Sequence, residues 1–212
     1  MPLSWLDFYK DGFRYVCNKL SLNIIENDID KSFEVLKSYN PRINPLEVDV
    51  TPKVIFSEAT SHWQGEFILS DVINKFYESM NLTAYIYPET LDFLDKLKAE
   101  GYKIAALTDV AIGMPDELHK SYFPELLPYF DMYVSSISCG YRKPNPKGLS
   151  DIAENFGVVP SEMIMIGDEE KDIKTAKRFG CKSVLIYRRD KNANFGQDYT
   201  VTDLNKLWEM MK

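Results

Sequence analysis

Three places in the sequence carry side chains that together could handle a phosphate group. Thr108 and Asp109 close an apolar run, Arg142 and Lys143 lie in the segment GYRKPNP, and Asp168 and Asp172 stand four apart in GDEEKD. A hydroxyl and an ammonium can hold phosphate oxygens, and paired carboxylates can hold Mg²⁺ against them. With Asp168 in a loop and Asp172 in the first turn of the following helix, both carboxylates face the same helix end. Each residue also has an ordinary structural use. Threonine commonly ends a strand, lysine in a loop commonly sits in solvent, and acids at a helix start answer the macrodipole.

The elements that must position these residues follow from the hydrophobic period. After Tyr85, short β-branched runs alternate with helical ones: 104–108 (IAALT), 132–136 (MYVSS), 163–167 (MIMIG) and 183–187 (SVLIY), with an edge strand near Tyr199 to Val201. Gly101, Gly157 and Gly180 are placed to end helices, and Pro88 and Pro146 to occupy first turns. Alternation of this kind implies a parallel sheet with right-handed crossovers, which binds ligands beyond the carboxyl ends of its strands. Thr108 and Asp109, the loop from Gly140 to Pro146, and Gly167 with Asp168 follow the first three strands. All are expected on one rim.

The first eighty residues read differently. Trp5, Tyr9, Phe13, Val16 and Leu20 recur at helical steps, and Asn27 with Asp30 suggests a capped second helix bearing Ile29, Phe33 and Leu36 on one face. Asn40 to Pro45 breaks it. Residues 53–64 favour no one structure, and Leu69, Val72, Ile73, Phe76 and Met80 restore the helical period. Residues 1–83 are therefore expected to form a helical domain and residues 84–212 an α/β core.

Composition narrows the partners. The 212 residues are 45% hydrophobic and 27% charged, as in a soluble globular unit, and carry a net charge of −7 with no basic stripe to track nucleic acid. Cys17, Cys139 and Cys181 form no CxxC pair and suggest reduced thiols rather than a disulfide framework or zinc site. The apolar runs are strand-sized, and Asp7 and Asp11 sit where a signal peptide would be basic and then apolar. A cytoplasmic protein without membrane or nucleic-acid partners is expected.

The ordered series LT, RKPNP, IGDEEKD and AKRFG resembles the haloacid dehalogenase superfamily over nearly the whole chain. The resemblance implies a Rossmann-like, three-layer parallel sheet carrying a small N-terminal helical cap of the kind inserted after the first strand. Thr108 would bind the transferring phosphoryl group, and Lys143 would offset charge on the nucleophile and phosphate, making these two the catalytic residues. Thr108, Asp109 and Lys143 would contact phosphate, and Asp168 and Asp172 would hold Mg²⁺. Asp109 departs from a frequent asparagine, and its charge is expected to weaken anion binding.

The family's DxDxT motif, which supplies the nucleophile from an apolar first strand, is absent. Asp28 and Asp30 sit at a helix start, where capping explains them. Glu47, Asp49 and Thr51 in LEVDVT follow Pro41 and Pro45, which rule out the strand. A truncated start is the expectation, with the first core strand missing between the strands that end at Thr108 and Gly167. The gap should close by direct pairing of those strands, by borrowing a strand, or at the cost of poor folding. Mg²⁺ should bind weakly, and loss of the nucleophile should cost on the order of a millionfold in rate.

The implied parent activity is Mg²⁺-dependent hydrolysis of a small phosphorylated metabolite, a phosphate monoester. A dehalogenase or phosphonatase ranks lower, and a non-catalytic binding or regulatory protein is the alternative from another class. Trp5, Phe8, Tyr15 and Trp63 could line a closed cap, although ordinary helix packing is the favoured reading. His62 reads as structural rather than catalytic.

Overall fold

A computed structural model describes residues 5–188 and 193–212, with side chains from Phe8 onward. In chain order the first elements are α1 (Trp5–Lys19), α2 (Glu26–Ser38), α3 (Pro52–Ala59), α4 (Leu69–Ser79), α5 (Thr90–Ala99), β1 (Ala105–Thr108) and α6 (Asp116–Lys120). There follow β2 (Met132–Ser135), α7 (Ser136–Cys139), α8 (Lys147–Phe156), β3 (Ile164–Gly167), α9 (Glu170–Phe179), β4 (Lys182–Ile186), β5 (Tyr199–Val201) and α10 (Leu204–Met211). They divide into two compact units: one runs to residue 84 and includes residues 110–122, and the other comprises residues 85–109 and everything from 123.

The first unit is helical because its apolar residues recur on one face of each helix and meet in an aromatic core. The Phe13 and Phe76 rings lie 4.9 Å apart, Phe56 lies 5.2 Å from Phe76, and Trp63 meets Phe13 edge-on at 5.8 Å. Gly12 permits this approach of α1 to α4, since a Cβ there would run into the Phe76 ring. Two polar groups of this core satisfy one another: Trp63 Nε1 donates to Ser32 Oγ at 2.9 Å, and Ser32 Oγ donates to the Ala59 carbonyl at 2.6 Å. The Tyr77 hydroxyl donates to the Ile112 carbonyl and ties residues 110–122 to α4.

Packing also accounts for the aromatics. Trp63 is core, the Tyr15 hydroxyl donates to Glu78 at 2.7 Å, Phe8 is exposed, and the side chain of Trp5 lies outside those described. His62 Nε2 meets the Asp28 carbonyl at 2.7 Å, a tie between two segments of the helical unit. The start of α2 differs from expectation. Asn27 lies inside the helix, and the extended residue Ile25 takes the N-cap position, with Glu26 and Asp28 in the first turn. This arrangement sets acids against the positive helix end without a capping side chain. Asp28 pairs with Lys31 at 2.8 Å and Asp30 with Lys10 at 2.6 Å.

The second unit is α/β. Each of its five strands lies within one residue of the expected position, and every pairing is parallel. Gly157 and Gly180 end α8 and α9 in the left-handed conformation, and Gly101 adopts φ +79° just past α5. Pro146 is the N-cap of α8 and Pro88 precedes α5 by two residues, so both prolines stand just outside the expected first turns. One helical layer packs Leu149, Ile152 and Ala176 on Val134 and Met165. The opposite layer packs Phe93, Leu97 and Leu207 on Ile104, Val184 and Val201. These are the two covered faces that a parallel sheet requires.

The sheet itself is in two pieces: β1 pairs with β2, while β3, β4 and β5 form a second sheet in that order. Direct pairing of β1 with β3, one of the three expected outcomes, does not occur, and residues 5–19 are helix rather than a substitute strand. Side chains join the pieces instead: α8 packs on β1 and β2, α9 packs on β3 and β4, and the two helices pack on each other within one core cluster. Each of β1 and β3 retains an edge without a strand partner among the described residues. On β3, Met165 is buried while Ile164 and Ile166 are 46% and 37% exposed.

Candidate active site

At the carboxyl end of β1, Thr108 is half-buried, and its hydroxyl has no hydrogen-bond partner among the described residues. The next residue, Asp109, is the first surprise. Its carboxylate is nearly enclosed: Oδ1 accepts the backbone N–H of Lys143 at 2.9 Å, and Oδ2 meets Lys171 Nζ at 3.0 Å. Both oxygens of Asp109, a residue expected to contact phosphate, are thus engaged by protein partners.

Lys143 arrives through a tight local path. Ser135 ends β2 and caps α7, with reciprocal side-chain bonds to Ser138 at 2.9 Å, and Gly140 at φ +78° closes that short helix. The chain then turns through the buried Arg142 to Lys143. Lys143 Nζ lies 2.7 Å from Asp172 Oδ1 and 3.4 Å from the Leu107 carbonyl. The pair is buried, with side-chain exposures of 12% for Lys143 and 4% for Asp172, so screening by salt reaches it weakly.

Asp172 is held from the other side by its own helix start. Its Oδ2 accepts the N–H groups of Asp168 and Glu169 at 3.0 and 2.9 Å, which satisfies donors that the first turn of α9 leaves unpaired. The carboxylate lies against Gly167, where any Cβ would overlap it. Asp168 differs. It reaches solvent, and no side chain among the described residues pairs with it. Desolvation by the surrounding protein, then the charges of Asp172 and Glu169, hold its pKa above the ordinary carboxylate range, with Lys143 pulling weakly the other way.

Lys171 is the site residue that sequence reasoning missed. A cation in the first turn of a helix opposes the macrodipole. A lysine among the acids of GDEEKD was therefore a signal that a compensating anion lies nearby. Asp109 supplies it, together with Glu169 at 2.8 Å. Burial works against the charge of Lys171, but these two carboxylates outweigh it and raise its pKa above the usual lysine value. Thr108, Asp109, Lys143, Asp168 and Asp172 all belong to the sheet unit, at the ends of β1 and β3, in the segment after α7, or in the first turn of α9. The decoy carboxylates Asp28, Asp30 and Asp49 belong to the helical unit.

Among the described residues no group of three or more His, Cys, Asp and Glu is arranged as around a metal ion, and no helix is long and apolar enough to cross a membrane. Asp168 nevertheless suits a cation, since its charge is crowded by two like charges and has no side-chain partner among the described residues. Mg²⁺ commonly binds through one or two carboxylates with water and substrate phosphate.

The profile of a hydrolase family, the haloacid dehalogenase-like hydrolases, matches residues 16–180. A phosphoglycolate phosphatase of Escherichia coli is 28% identical over 144 residues, covering 67% of this chain and 55% of that protein. A phosphoglycolate phosphatase of Aliivibrio fischeri is 27% identical over 111 residues, 52% of this chain and 48% of that protein. The chain thus spans about half the length of the curated relatives it matches. Among solved structures, a phosphatase of the same fold from Thermococcus onnurineus superposes with a TM-score of 0.64 at 20% identity, covering 97% of this chain and 89% of that one. A 2-haloacid dehalogenase from Pseudomonas syringae reaches 0.67 at 17% identity, covering 97% and 90%.

Proposed function

We infer function from one premise: the chain belongs to the haloacid dehalogenase-like hydrolase family. We propose that its rim is the phosphate- and Mg²⁺-handling half of a phosphatase for small phosphate monoesters, with residues 84–212 as the hydrolase core and residues 1–83 as the cap. The observation that carries this reading is the buried contact of Lys143 with Asp172, which brings an ammonium from the β2 loop and a carboxylate from the start of α9 to one place. The relatives named phosphoglycolate phosphatases make a small phosphorylated acid the first substrate to try.

In this mechanism the Thr108 hydroxyl donates to a phosphate oxygen, and the Lys143 ammonium turns part of its charge from Asp172 toward the incoming dianion. The Asp168 carboxylate, with Asp172 beside it, would hold Mg²⁺, which supplies charge stabilisation to the phosphate oxygens. Asp168 is the principal holder, because Asp172 is already engaged on both oxygens. Among the described residues of this rim, Asp109 and Asp172 are bound to protein groups, Glu169 pairs with Lys171, and Asp168 is assigned to the metal. The chain by itself is therefore proposed to bind phosphate and to turn over at a rate near the background.

Titration with inorganic phosphate, with and without Mg²⁺, tests the proposal, alongside release of phosphate from an aryl ester. Binding should strengthen with Mg²⁺ and disappear in Lys143→Met and Asp168→Asn. Phosphate binding that ignores both substitutions would overturn the reading. The engaged state of Asp109 and Asp172 also favours a second reading, a binding protein without catalysis. Rapid phosphate release that depends on Lys143 would exclude it.

A further inference from the structure

The contact between Asp109 and Lys171 has no part in the mechanism above, yet its carboxylate end is enclosed. The Asp109 side chain is only 7% exposed, with one oxygen on the Lys143 N–H and the other on Lys171 Nζ. Lys171 is bonded through the chain to Asp172, and Asp172 meets Lys143 Nζ. Asp109, Lys143, Asp172 and Lys171 are thus linked in a circuit of one backbone hydrogen bond, two ion pairs and the chain between Lys171 and Asp172.

We propose that Asp109 and Lys171 act as one positioning unit for Lys143. Asp109 sets the Lys143 backbone, and Lys171 cancels the negative charge that Asp109 would otherwise hold beside the anion site. This rests on the phosphate reading of the rim. Neither residue is catalytic, since neither is assigned to substrate. A carboxylate at this position repels an anion unless it is neutralised, and a cation in the first turn of α9 is unfavourable unless it is paired. Each residue therefore removes the cost of the other. An asparagine at 109 would still accept the Lys143 N–H, but it would leave Lys171 with Glu169 alone.

The test uses the whole chain and four variants: Lys171→Met, Asp109→Asn, the double variant, and Asp109→Ala. Lys171→Met should weaken binding of inorganic phosphate about tenfold, the size of one uncompensated charge acting over roughly 10 Å at a protein-like dielectric. Adding Asp109→Asn to it should restore affinity to within about twofold of the parent. A merely structural contact would not be rescued by removing the partner's charge. Unchanged phosphate affinity in Lys171→Met, or no rescue in the double variant, overturns the proposal. Backbone hydrogen exchange at Lys143 needs no ligand and separates this inference from the phosphate reading. Asp109→Ala should speed exchange of that amide at least about tenfold, while Asp109→Asn leaves it protected. If the parent binds no phosphate, the phosphate reading fails and exchange decides the brace. Equal protection in Asp109→Ala overturns the brace whatever phosphate does.

Discussion

Replacing Lys143 with methionine removes an ammonium while keeping much of the side chain's apolar length. What remains is the Asp172 carboxylate, 4% exposed, whose Oδ1 has lost its ion-pair partner and whose Oδ2 keeps two backbone N–H donors. Stranding one member of a buried pair typically costs about 3–5 kcal/mol. The two remaining hydrogen bonds place this case near the lower bound, about 3 kcal/mol, against a typical net stability of about 5–15 kcal/mol. Urea denaturation should therefore shift to lower midpoint by about 1 M or more at unchanged slope, since slopes run about 1–3 kcal/mol per molar. The shift should survive in 0.5 M NaCl, with that salt concentration chosen as roughly three times physiological strength. Combining it with Asp172→Asn should cost less than the two single changes summed, because the double variant leaves no unmatched charge. A loss below about 1 kcal/mol, or one that salt removes, would show that Lys143 and Asp172 behave as an exposed pair and would refute the claim of a built site.

Three further outcomes follow from neighbouring groups. Asp168 has a raised pKa in the fold, so its contribution is fully present below the ordinary carboxylate range and is lost as pH rises through the raised value. Asp168→Asn should accordingly raise the melting temperature at pH 7 while abolishing Mg²⁺ binding, with the thermal gain vanishing toward pH 4; an equal gain at both pH values would contradict the cause given. Gly167→Ala should displace Asp172, because the new Cβ overlaps it, and should cost about 1–3 kcal/mol together with phosphate binding; retention of both would show that the rim relaxes freely. Asp131, lowered to about 2 by Lys98 and by the Ile104 N–H, stabilises the fold above its usual value of 3.8 and loses that contribution as pH falls through about 2. Asp131→Asn should destabilise by on the order of 1 kcal/mol at pH 6 and by progressively less in acid, which thermal melts along a pH series will show.

The elements and the rim were legible in the sequence because they depend on local physics. Alternation of short β-branched runs with amphipathic ones sets strand and helix from residue to residue, and parallel connectivity sends every strand's carboxyl end to the same side. Thr108, Lys143, Asp168 and Asp172 could thus be placed by reading strand exits. Helix starts were less clear, as Asn27 shows, since an extended residue such as Ile25 can open a helix without a capping side chain.

The partners of charges were decided only by the tertiary structure. A carboxylate's type says that it needs donors or a cation, but not which residue some sixty positions away supplies one. Asp109 read as a liability to anion binding, and the fold makes it a brace by bringing Lys143 and Lys171 to its two oxygens. The division of the sheet was likewise beyond local pattern. β1 and β3 fall in separate sheets, and one core cluster with Val134, Leu149, Ile152, Met165 and Ala176 spans both pieces. Residues 110–122 gave no sign that they would join the helical unit, because the Tyr77 to Ile112 hydrogen bond exists only once α4 is packed. Local pattern determines what each segment is. Long-range electrostatics and packing, which depend on distances that sequence does not contain, determine what each segment meets.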